Sequence, residues 1–354
     1  MLPDLPEELL DLIAKELSTE NGQPNLHLLV AASLTCRKLY RVMHPWLYKK
    51  LFICYPSEQA RLLRRTLQQQ PQYGKYVLEA VLYAPSDSSE NMDPGDGEAL
   101  EDLATLMLAM QNLRDLWAHG CASDALKPIL CNSPVPFHGK LEWVVVRGDT
   151  YSTHDLLDLL SFPNLYHAEI FSFHDTRHCT RLLPIPFLTS LTSLSLPHSR
   201  IGHPLLNFIL QQCSSNLEHL RCTIPLRGPR LDLPHDPEVA AAISASPLAS
   251  LPLVPLSQHL ASMKSTLVKL HIETGYQSWG AHEQDYADKN DAQLDLHDFS
   301  VLEDVVACSS CFFPSACNRN ERLQFYKRLP ASLVRLQVRY VFFYMFFYQL
   351  TAGC

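Results

Sequence analysis

Two stretches of this sequence combine residue types able to hold a metal. In His174-Asp175-Thr176-Arg177-His178-Cys179, two histidines stand four apart beside a cysteine, and on a helix that spacing grips zinc from one face. The segment follows a predicted strand, however, and no second pair at ligand spacing stands near it, so solvated loop histidines are expected. Cys308-x-x-Cys311 with Cys317 makes the better half-site, and His297 is a distant fourth donor. A second Cys-x-x-Cys is missing, which leaves ordinary thiols in a turn as the expectation. Catalytic signatures are also missing. The chain has no Gly-x-Gly-x-x-Gly, no phosphate-binding Gly-Lys-Ser/Thr loop and no Gly-x-Ser-x-Gly elbow, and only 12 glycines to build tight ligand-cradling loops. The sequence therefore predicts no catalytic residue, no metal site and no cofactor: a protein that works by binding.

Composition bounds the scaffold that must present such a binding surface. At 354 residues, 47% hydrophobic and 19% charged, the chain has the length of about two domains and enough apolar side chains to exclude disorder for most of it. The uncharged run that could suggest a membrane span, 340–354, falls short of the roughly 20 apolar residues one needs. The start of the chain lacks a secretory pattern, so cytoplasmic or nuclear residence without membrane partners is expected. An odd set of 11 scattered cysteines fits free thiols of a reducing compartment. A formal charge of −8 speaks against a nucleic-acid partner, which needs a surplus of Lys and Arg. Asp87 to Asp102 holds seven acids and no base, and Glu283 to Asp304 holds eight acids against Lys289 alone. Each carries −7, leaving +6 on the rest. These stretches predict solvated acidic insertions at 85–102 and 282–304, because like charges in a row resist packing.

The first fifty residues form a unit of short helices. Pro6 suits a first helical turn, Glu7 and Glu8 favour its positive end, and Leu9, Leu10, Ile13 and Leu17 recur at helical spacing. A second apolar helix is expected from Asn25, and a third after Ser33-Leu34-Thr35-Cys36-Arg37, ended by Pro45. The ordered set resembles the F-box in its fungal form: a Leu-Pro-x-Glu-Leu opening, an isoleucine four residues on, the Ser-Leu-Thr-Cys-Arg-x-Leu-Tyr run, and Pro-x-Leu-Tyr. The resemblance covers about residues 1–52. It implies docking onto the Skp adaptor of an SCF-type ubiquitin ligase, and through it onto a cullin, by burial of an apolar helical face. The contacts it implies are Leu5, Pro6, Leu9 and Ile13 from the first helix and Leu29 and Leu34 from the second.

From Leu51 onward the sequence repeats. The template Leu-x-x-apolar-x-apolar occurs at Leu113, Leu141, Leu165, Leu191, Leu217, Leu267 and Leu333. The first five steps are 28, 24, 26, 26 and 50 residues, the last read as about two periods with a Pro-rich insertion at 225–257 replacing a repeat near 242. Short helical stretches lie between the anchors, so strand and helix alternate at a solenoid period. This resembles the irregular leucine-rich repeats that often follow an F-box. It departs at the eighth residue after each anchor, where Asn or Cys is expected. Here Cys121, Asp149, Phe173, Ser199, Pro225, Gly275 and Val341 stand, and only Cys121 conforms.

The fold class expected is α/β: an N-terminal three-helix F-box (1–52), an irregular leucine-rich-repeat solenoid with a parallel sheet (53–339), and an aromatic tail (340–354). That tail holds seven aromatics in nine residues; translated intron sequence, a buried final strand and a sticky tail all fit it. The function expected is a substrate-recognition adaptor of the ligase, with a Skp-bound scaffold that degrades nothing as the alternative. Side chains alternate along a strand, so the face opposite the leucines is expected to bind the target through Trp117, Trp143, Arg147, His167, Phe171, Arg221 and Lys269.

Overall fold

The computed structural model describes residues 5–19, 25–83, 97–132, 135–174, 190–199, 201, 203–223, 260–273, 294–313 and 319–339. The chain divides into two compact units, one of Met1–Arg147 with Phe162–Leu165 and one of Gly148–Ser161 with Tyr166–Cys354.

The first unit opens with α1 (Glu7–Thr19), α2 (Leu26–Ser33) and α3 (Arg37–Lys49). The Pro6 carbonyl accepts from the Leu9 and Leu10 amides at 3.2 Å, and the Asn25 side chain caps α2 by accepting from the Leu28 amide at 3.3 Å. Leu10, Ala14, Leu29, Leu39 and Met43 close a core between the three helices. Pro45 does not end the third helix as predicted; α3 runs through it to Lys49. The Arg41 carbonyl forgoes its helical partner, while Trp46 and Leu47 pack on the three-helix core and Trp46 Nε1 donates to Asp11 Oδ1 at 2.8 Å. That packing holds the last turn.

The unit continues through β1 (Lys50–Cys54), α4 (Glu58–Gln69), α5 (Pro71–Gly74), β2 (Glu79–Tyr83), α6 (Gly97–Ala109), β3 (Asp115–Ala118), α7 (Cys121–Asn132) and β4 (Trp143–Arg147). These strands pair in parallel in sequence order. The second unit runs α8 (Thr153–Leu160), β5 (His167–Phe171), β6 (Ser193–Leu196), α9 (His203–Cys213), β7 (His219–Thr223), β8 (Lys269–Glu273), β9 (Asp304–Cys308), α10 (Ser309–Phe312), α11 (Arg319–Leu323) and β10 (Arg335–Arg339). Strands β5 to β10 also pair in parallel with their sequence neighbours. The class is α/β, as expected.

The repeat has a physical signature. The carbonyls of Leu78, Arg114, Tyr166, Thr192, Glu218, Val268 and Glu303 each accept two successive amides at the start of the following strand. Each of these residues directly follows a buried anchor: Val77, Leu113, Leu165, Leu191, Leu217, Leu267 or Leu302. Val77 escapes the leucine template because it is valine, whereas Leu302 fits it with Val305 and Ala307 but lies in a stretch whose acids predict a solvated insertion. Within 282–304, residues 282–293 lie outside the described residues. Leu294, Leu296, Phe299 and Leu302 are buried, so 294–303 is packed irregular chain leading into β9 and not a solvated insertion. The first acidic stretch is corrected likewise at its end, since 97–102 begin α6 and Asp102 pairs with Arg64. The 50-residue step is a single repeat, because β7 pairs directly with β8. The Pro-rich 225–257 and the tail 340–354 lie outside the described residues.

An asparagine ladder is replaced by hydroxyls. Ser199 Oγ accepts from the buried Phe173 amide at 3.0 Å and lies 3.2 Å from the Ile170 carbonyl. Ser123 Oγ accepts from the Arg147 amide at 2.8 Å and donates to the Arg147 carbonyl at 2.7 Å. Ser199, a departure from the repeat by residue type, thus performs the expected task of satisfying buried backbone groups.

Candidate functional site

The three-helix unit leaves apolar side chains over once its own core is closed. Leu9 is 46% exposed, Leu12 56% and Leu34 78%. Leu26, Leu28 and Val30 are exposed as well, and Pro6 lies at the surface. Leu5 and Ile13 are half-buried against the core. Leu29 is fully buried; as the residue that α2 turns into the core, it has no surface to offer a partner, contrary to expectation. Leu12, Leu26, Leu28 and Val30 were missed. The signal for Leu26, Leu28 and Val30 was present in α2, which contains no Asp, Glu, Lys or Arg, and so apolar a helix needs burial on more than one side.

In the first unit, β1 to β4 align Lys50, Glu79, Asp115 and Trp143 in one row and Phe52, Val81, Trp117 and Val145 in the next. Both rows lie opposite the buried Ala80, Leu116 and Val144. Trp117 and Trp143 stack with ring centroids 6.1 Å apart and planes 2° from parallel. Lys50 Nζ reaches Glu79 Oε2 at 2.9 Å. Burial, and then the nearby Glu79 and Glu142, push the Asp115 carboxyl up to about 6. Arg147 is exposed at the end of β4.

In the second unit several charged side chains of the corresponding face pair with one another. Glu169, Ser195, Arg221 and His271 stand in register across β5 to β8. Arg221 donates to Glu273 Oε1 through Nε at 2.9 Å and Nη2 at 2.6 Å, and its Nη1 lies 3.5 Å from Glu169 Oε1. Ser195 Oγ donates to the same Glu169 oxygen at 3.2 Å. Arg221 is thereby committed to neighbouring carboxylates, which corrects its expected role as a free target contact. His167 is not a cation at neutral pH either, because burial, and then His219, bring it down to about 4. Phe171 is half-buried, and Lys269 is exposed.

The metal readings gain no further donors. Cys308 and Cys311 are buried with their Sγ atoms 3.0 Å apart, whereas His297 is exposed beside Asp298. Cys317, His178 and Cys179 lie outside the described residues. Among the described residues no three His, Cys, Asp or Glu side chains form a metal-sized group, and no helix is long and apolar enough to cross a membrane. A scan against protein families finds no match for this chain, and no curated protein matches its sequence.

Proposed function

We propose that this chain is a substrate-recognition adaptor of an SCF-type ubiquitin ligase, in which α1–α3 is an F-box that docks on the Skp adaptor. The strand-helix repeats are then irregular leucine-rich repeats, and their strand faces hold the target protein. Such a chain performs no bond chemistry. It raises the target's effective concentration at a ubiquitin-conjugating enzyme carried by the cullin.

The observation that carries this reading is the apolar surplus on α1 and α2. Leu9, Leu12, Leu26, Leu28, Val30 and Leu34 are exposed around a helical unit whose core is already closed by Leu10, Ala14, Leu29, Leu39 and Met43. A concentration of exposed large apolar side chains favours an interaction site, and here it coincides with the stretch that resembles an F-box. The test is co-purification with a recombinant Skp adaptor. Leu9→Asp with Leu12→Asp should abolish it without changing thermal melting, and full-strength binding by that variant would overturn the docking assignment. Whether a cullin joins the complex, and whether a bound protein accumulates when the proteasome is inhibited, separates degradation from a purely scaffolding role.

A further inference from the structure

On the adaptor reading, on which this inference rests, strand faces hold the target, and the face of the first unit has a chemical bias toward one kind of group. Asp115 is half-buried at the centre of the row Lys50, Glu79, Asp115, Trp143. Lys50 is already taken by Glu79, and Arg114 lies 3.6 Å from Glu142. Among the described residues no hydrogen-bond donor or ion-pair partner touches the Asp115 carboxylate; Lys50 and Arg114 act on it only through space, while burial, Glu79 and Glu142 work against its charge. Beside it lies the parallel Trp117–Trp143 stack. Trp117 is 38% exposed, and Phe52 is exposed in the same row.

An indole stack next to a carboxylate that no described residue pairs with is complementary to a planar cation. Indole faces attract cations, and a planar, weakly hydrated guanidinium lies flat on them while its edge donates to a carboxylate. A compact ammonium ion, strongly hydrated, matches such a flat surface less well. A phosphate or an acidic peptide would face Glu79, Asp115 and Glu142 and be repelled. We infer that this face takes an arginine side chain from a basic segment of the partner protein, its guanidinium on the exposed part of the Trp117 indole and its N–H groups on the Asp115 carboxylate. The ligand supplies the direct partner that Asp115 lacks among the described residues, where Lys50 and Arg114 reach it only through space.

The test uses the full chain labelled with 15N at tryptophan, of which it has four, with the indole signals assigned by Trp117→Phe and Trp143→Phe. A tetra-arginine peptide should shift the signals of Trp117 and Trp143, and a tetra-citrulline peptide, equal in shape but uncharged, should not. Asp115→Asn should weaken the arginine response about tenfold, and Asp115→Glu should retain most of it. Equal shifts with citrulline, or an unchanged response in Asp115→Asn, overturn the inference. The measurement contains no Skp adaptor. An intact arginine response in a chain that fails to bind the adaptor would sink the ligase reading alone, and the reverse outcome would sink only the arginine site.

Discussion

Arg221 and Glu273 meet across β7 and β8, the guanidinium donating through Nε and Nη2 to one carboxylate oxygen at 2.9 and 2.6 Å. Glu273 is only 6% exposed. Removing one partner of such a pair leaves a buried charge without compensation, which costs more than the pair is worth. Arg221→Ala should lower stability by about 2–3 kcal/mol, and Arg221→Ala with Glu273→Gln should recover part of the loss. Denaturant unfolding of both variants checks this; equal stability of Arg221→Ala and the parent would show the network to be energetically idle.

Asp115 works against stability where it stands. Its folded value of about 6 lies above the usual 3.8, so between those values the folded state binds more protons than the unfolded one. Stability from this group falls as pH rises through that window and stays lowered above it. Asp115→Asn should therefore be more stable than the parent at pH 7.5 by about 1 kcal/mol, a figure discounted for half exposure, and by almost nothing at pH 3.5. Thermal melts at the two pH values decide.

The histidines of the second unit act with the opposite sign. His167 is brought to about 4, and His219 and His271 are lowered, each chiefly by burial. The unfolded chain takes up protons first as pH falls below 6.5, so stability is full above that value and declines as pH drops toward 4. His167→Gln should flatten the decline. A stability curve for that variant with undiminished slope between pH 6.5 and 4 would remove His167 as its source.

Gly74 marks a close approach of backbones. A Cβ built on it would sit 2.1 Å from the Ala109 carbonyl oxygen at the end of α6, and neither partner is a flexible side-chain tip. Gly74→Ala should cost about 1–3 kcal/mol through overpacking, whereas Gly139→Ala, with open space around its Cβ, should be close to neutral. Melting temperatures of the two variants test the contrast.

Core and surface leucines of α1 lie side by side. Leu10→Ala should destabilise the chain by about 2–5 kcal/mol, since Leu10 is fully buried. Leu12→Ala should change stability by less than about 0.5 kcal/mol. Similar losses from both would mean that Leu12 is packed and not available for docking.

Much of the fold is legible in the chain because burial leaves a periodic mark. At Leu113, Leu191 and Leu217 the anchor and the third and fifth residues after it are buried, as the alternation of a strand on one apolar face requires. The α/β class and the three helices at the start follow from local spacing alone. Where the pattern failed, tertiary packing had overruled a local rule. Pro45 stays helical because Trp46 and Leu47 are held on the three-helix core. Leu302, in contrast, fits the leucine template amid acids, and β9 after it pairs with β8 and β10.

The strand-face residues were legible only as a set of chemical types at alternating positions. Which of them meet was decided by the register of parallel strands joined by unequal connections. Arg221 finds Glu273 and Glu169, each 52 residues away in sequence, and no spacing rule reaches that far. Trp117 stacks on Trp143 although register places it opposite Val145, because indoles reach a diagonal neighbour. Desolvation likewise exists only after folding, and it pushes the Asp115 carboxyl up. The sequence alone determined the face that the apolar anchors bury. The tertiary structure decided which charges on the other face are spent internally and which stay open, since that depends on distances between strands rather than along them.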